Sequence, residues 1–132
     1  MSDERPSDAS RGAAAMLEAF AAFNRTFEAA VEHAESGWLK ILVKVDRGRI
    51  KEPQVPWDRA FPLDAITLPK ESEKNQTRVG VSRATRDLQA RLESAIRGRQ
   101  TIFYRLLVKL DLGIVTSLQI CQDESLPIDW RA

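Results

Sequence analysis

Cysteine and histidine occur once each, as Cys121 and His33. A single cysteine excludes an intramolecular disulfide and a cysteine metal cluster. Cys121 has no histidine near it in sequence and falls within a predicted strand, where a small buried thiol is expected. His33 sits near the end of a predicted helix, in the position of a solvated side chain. No Gly-rich phosphate loop, metal-ligand spacing or nucleophile motif occurs, so no cofactor, metal or catalytic residue is expected. No apolar run approaches the roughly 18 to 20 residues of a membrane span. The opening MSDERPSDAS is polar and acidic, unlike the basic-then-apolar order of a secretory signal, so a cytoplasmic protein is expected.

What remains is 132 residues, 43% apolar and 30% charged, enough for one globular domain. The net charge of +1 is unevenly spread. Residues 1–37 carry 3 basic and 7 acidic side chains, residues 38–109 carry 16 and 8, and residues 110–132 carry 1 and 4. A basic middle between acidic ends suits an anionic partner.

The strongest pattern is an internal match. WLKILVKV at Trp38–Val45 recurs as FYRLLVKL at Phe103–Leu110, displaced by 65 residues without a gap. Leu42, Val43, Lys44, Asp46, Gly48, Gln54 and Asp58 meet identical residues at 107, 108, 109, 111, 113, 119 and 123. A match of this kind implies duplicated structural units.

Each unit reads as a helix followed by a hairpin. Met16, Phe20, Phe23, Phe27 and Val31 recur at three- and four-residue spacing, which predicts one helix face up to Glu35, with Gly37 as its left-handed cap. Ser7, Asp8 or Ser10 would cap its start. Trp38–Val45 alternates with period two. Leu39, Ile41, Val43 and Val45 form the inward set, and Trp38, Lys40, Leu42 and Lys44 the outward set. A turn at Asp46-Arg47-Gly48-Arg49 leads to a strand over Arg49–Val55, which Pro53 confines to an edge or a bulge. Residues 56–81 resist assignment, and Lys70–Arg78 reads as an exposed loop. Ser82 opens the second helix, with Ala84, Leu88, Leu92, Ala95 and Ile96 on its apolar side. Thr101–Leu110 and Ile114–Cys121 form the second hairpin, turning at Asp111-Leu112-Gly113. Apolar spacing from Leu88 to Leu110 also fits one long helix. Gly98 and the run Thr101, Ile102, Phe103, Tyr104 favour the strand.

The expected fold is α+β: a tandem αββ–αββ internal repeat about a pseudo-twofold, with a four-stranded antiparallel sheet and two helices packed on one face. Residues 1–8 are expected to be disordered. Residues 9–132 would form a single domain, with repeats at 9–65 and 74–130.

Two constellations invite a function. Asp46 and Asp111, Asp58 and Asp123, and Asp64 and Asp129 recur as pairs that would suit a hard metal or acid–base work, although aspartate is common in turns for local hydrogen-bonding reasons. The outward face of the first strand in each unit reads aromatic, basic, leucine, basic: Trp38, Lys40, Leu42, Lys44, then Phe103, Arg105, Leu107, Lys109. Rings for stacking and cations along a backbone track suit single-stranded DNA or RNA. Gln54 and Gln119 would lie on that face, and Arg47, Arg49, Lys51 and the basic second helix would extend its field. The expected nucleic-acid-binding set is Trp38, Lys40, Lys44, Arg47, Arg49, Phe103, Arg105 and Lys109. The alternative is a protein–protein interaction module (an adaptor, inhibitor or assembly factor) that forms a homodimer through the same face.

Overall fold

The computed structural model describes residues 8–61 and 68–123. Helix α1 spans Asp8–Glu32, strands β1, β2 and β3 span Ser36–Asp46, Arg49–Gln54 and Trp57–Ala60, helix α2 spans Glu71–Arg97, and β4 and β5 span Ile102–Asp111 and Ile114–Asp123. The α+β class holds. Of the expected disordered start, Asp8 opens α1, while residues 1–7 and the Asp64–Asp129 pair lie outside the described residues.

The α1 stripe of Met16, Phe20, Phe23, Phe27 and Val31 is buried throughout. The Phe23 and Phe27 rings stack nearly parallel with centroids 6.4 Å apart. The left-handed residue after the helix is Ala34 (φ 51°), not Gly37. Glu35 N–H closes the cap by donating to Ala30 O at 2.8 Å. Gly37 lies inside β1, opposite Arg59 and Leu110.

Helix α2 begins eleven residues before the expected Ser82, so Glu71–Arg78 is helical rather than loop. Glu71 and Glu73 in the first turn suit the positive end of the helix dipole. Lys70 N–H donates to Glu73 Oε1 at 3.1 Å. Thr77 and Val81, 2% and 1% exposed, dock the first turns onto the core. Arg78 reaches Glu28 of α1 at 3.1 Å and Glu71 at 3.4 Å. The hydrogen bond to Glu28 raises the guanidinium's already high pKa.

The sheet is antiparallel with order β2-β1-β4-β5, and β3 also pairs with β1. It therefore has five strands, not the expected four. The extra strand comes from the prolines. β2 pairs with Leu42–Asp46 and β3 with Ser36–Leu39, so both lie along one edge of β1. Lys40 N–H donates to Pro56 O across the break at 3.1 Å. Pro53 and Pro56 have no N–H for the ladder, and the register slips between Leu42 and Lys44. β5 contains no proline and stays a single strand beside β4 to Asp123, with one register shift between Lys109 and Leu110.

Both helices lie on one side of the sheet. Leu39, Ile41, Val43 and Val45 of β1 join Ile102, Tyr104, Leu106, Val108 and Leu110 of β4 and the helix stripes in one buried cluster. Burial raises the Tyr104 hydroxyl above the ordinary tyrosine pKa, against the opposing pull of Arg91.

Several features recur at the 65-residue displacement. The buried positions of α2 (Thr77, Val81, Ala84, Thr85, Leu88, Leu92 and Ala95) lie 65 residues beyond buried positions of α1. Arg47 and Leu112 take φ 52°, followed by Gly48 at 78° and Gly113 at 81°, so both hairpins turn through two left-handed residues. Gly48 N–H donates to Gln100 O at 3.0 Å, and Gly113 N–H to Glu35 O at 2.8 Å. β1 and β4 pair with Ile41 opposite Leu106.

Candidate nucleic-acid interface

Neither helix packs on the other face of the sheet. Period-two alternation puts Trp38, Lys40, Leu42 and Lys44 of β1 there, with Phe103, Arg105, Leu107 and Lys109 of β4. The register pairs Trp38 with Lys109, Lys40 with Leu107, Leu42 with Arg105, and Lys44 with Phe103. Each row thus joins one cation to one apolar side chain, and the order reverses from row to row. The result is a checkerboard. Gln54 and Gln119 flank it, opposite Leu42 and Leu107.

Lys109 Nζ stands 6.0 Å from the centre of the Trp38 ring. The Arg105 guanidinium is 5.8 Å from the Phe103 ring. Cations over ring faces are held electrostatically while keeping their charge. Lys40 Nζ is 3.5 Å from Asp58 Oδ2, an exposed pair worth at most about 1 kcal/mol. Among the described residues no carboxylate forms an ion pair with Lys44 or Lys109. Arg105 Nε is buried and has no hydrogen-bond partner.

The two rings are not equivalent. Trp38 is partly exposed, whereas Phe103 is only 3% exposed. Trp38 therefore has ring surface to offer a base, and Phe103 does not. Arg47 and Arg49 lie beyond the checkerboard, on the first hairpin turn, with Arg49 opposite Asp46. The α2 arginines sit in the helix layer behind the sheet. Arg91 is paired there with Asp87 at 3.3 Å. With a screening length of about 8 Å, charges behind the sheet add little to the field in front of it.

Among the described residues no three His, Cys, Asp or Glu side chains form a group able to hold a metal. His33 is exposed after α1. Cys121 is half-buried rather than buried, because it sits on the helix-free face opposite Arg105. No helix among the described residues is long and apolar enough to cross a membrane.

Sequence reasoning placed the face but not its register, which sets cation beside apolar group. The 65-residue match carried that signal, since antiparallel pairing of matched strands through Ile41 and Leu106 generates the checkerboard. No family model, curated protein or solved structure matches the chain.

Proposed function

We propose that this chain is a non-enzymatic binding protein, built from two αββ repeats about a pseudo-twofold, that holds single-stranded DNA or RNA on the helix-free face of its sheet. The carrying observation is the checkerboard, in which Lys40, Lys44, Arg105 and Lys109 alternate with Trp38, Leu42 and Leu107. The recurring turns, caps and buried positions support the two-repeat reading. Cations at alternating positions suit successive phosphates, and Trp38 offers a stacking surface.

The test is fluorescence anisotropy with labelled single-stranded DNA and RNA across a salt series. Affinity should fall with log salt at about 0.7 per phosphate neutralised. Lys44→Ala with Lys109→Ala should reduce that slope for every strand sequence. Trp38→Ala should weaken binding by about 1–3 kcal/mol, roughly 5- to 150-fold. Absence of binding at low salt would overturn the proposal. The apolar pair Leu42 and Leu107 favours a second reading, a partner protein or second copy seated on the same face. That reading predicts a dimer in sedimentation, little salt dependence, and dissociation by Leu107→Glu.

A further inference from the structure

We propose that the hollow between the first hairpin turn and the end of α2 is a phosphate site, suited to the terminal phosphomonoester of a strand lying on the sheet. It is lined by Asp46, Arg47, Gly48, Arg49, Lys51, Ile96 and Arg99. The inference rests on the nucleic-acid reading for the source of the phosphate, not for the site itself.

Local geometry builds the hollow. The bond from Gly48 N–H to Gln100 O brings the hairpin against the helix end. A Cβ at position 48 would lie 2.8 Å from Ile96 O and 2.9 Å from Arg99 Cα, so only glycine permits that approach. The contact places Arg47 and Arg99, which belong to different elements, on one rim. Both are exposed, as is Lys51. Among the described residues no carboxylate pairs with Arg47, Lys51 or Arg99. Asp46 is engaged from behind: its Oδ1 accepts from Thr101 Oγ1 at 3.4 Å, and that oxygen accepts from Arg47 N–H at 3.1 Å. Arg47, Lys51 and Arg99 thus share one hollow with a single carboxylate that is already hydrogen-bonded.

The fold does not require this charge. At a displacement of 65, Arg47, Arg49 and Lys51 correspond to Leu112, Ile114 and Thr116, and Arg99 corresponds to Ala34. That end of the molecule closes with the same turn and the same backbone bond, and Leu68, Pro69 and Lys70 line the hollow beside it. Arg47, Lys51 and Arg99 gathered with no carboxylate partner among the described residues oppose folding, so their presence at one end alone points to a ligand. Guanidinium groups match the oxygens of a phosphate, and a terminal phosphate carries about −1.5 to −2 charge against −1 for an internal diester. Lys51 lies opposite Lys44, so the hollow continues the cationic track from the sheet.

The experiment compares otherwise identical strands with and without a terminal phosphate, at either end, against the full chain and Arg99→Gln. We expect one phosphorylated form to bind on the order of tenfold tighter than the bare strand. Arg99→Gln should remove that preference, whereas Arg83→Gln on the outside of α2 should keep it. Equal affinity for all strands would overturn the proposal while leaving the sheet-face reading intact. If no strand binds, that reading fails, and titration with inorganic pyrophosphate tests the hollow alone. Amide shifts at Gly48 and Arg99 that vanish in Arg99→Gln would support the site, and unchanged spectra would overturn it.

Discussion

Ala34, Arg47, Arg99 and Leu112 adopt left-handed backbone conformations, each at a cost of about 1–2 kcal/mol for a residue with a side chain. Each neighbours a backbone contact that offsets the cost, and two of those contacts depend on glycine. At Gly113, with φ 81°, a Cβ would lie 2.9 Å from Val31 O and 3.0 Å from Ala30 O. Gly113→Ala therefore meets both a disfavoured φ and rigid carbonyls. It should cost about 1–3 kcal/mol, a fall in melting temperature of roughly 3–5 °C per kcal/mol. Gly80 is the contrast. It lies inside α2, and a Cβ there would meet nothing within 4 Å. Gly80→Ala should stabilise the protein by about 0.5–1 kcal/mol, because alanine loses less backbone entropy in a helix. Thermal denaturation of the two variants should move in opposite directions. Similar shifts would mean that the turn does not approach α1 as described.

Among the elements, α2 shows why legibility varied. Its later turns carry Leu88, Leu92 and Ala95 at helical spacing and were readable. Its first turns bury only Thr77 and Val81 among charged neighbours, so the hydrophobic period is too sparse to register. Their docking depends on a polar contact: Val115 N–H of β5 donates to Thr77 Oγ1 at 3.2 Å. No local pattern announces a bond between residues 38 positions apart. The strands were legible because two-residue alternation directly separates the two faces. β3 was not, because Trp57–Ala60 is short and its pairing depends on an edge of β1 that the broken β2 leaves open. On the candidate face, alternation identified which side chains point outward. It carried no information on how far each is exposed, and Phe103 is buried. Thr77→Val keeps the shape but leaves the Val115 N–H without its acceptor. We expect a loss of about 1–2 kcal/mol in urea denaturation with an unchanged slope. Loss near zero would show that α2 is docked by apolar contact alone.

For the whole molecule, the two-repeat reading makes the seam between β1 and β4 a junction of two units, neither with a complete core. Residues 1–69 alone would keep α1 and the first hairpin but expose the β4-facing edge of β1. They would also uncover much of the apolar surface of Leu39, Ile41 and Val43. One helix on a small, broken sheet buries too little to fold independently. The exposed edge has one well-matched partner, a second copy of itself. Two β1 strands paired antiparallel through Ile41 would reproduce the environment that Leu106 supplies in the full chain. The 1–69 fragment should therefore be unfolded when dilute and form a dimer as its concentration rises. Sedimentation velocity and circular dichroism should report assembly and helix content increasing together, with a melting temperature that depends on concentration. A cooperatively folded monomer would count against the two-repeat reading, since one unit would then be sufficient. So would a fragment that stays unfolded at several hundred micromolar, because matched units should pair as copies wherever they pair as neighbours.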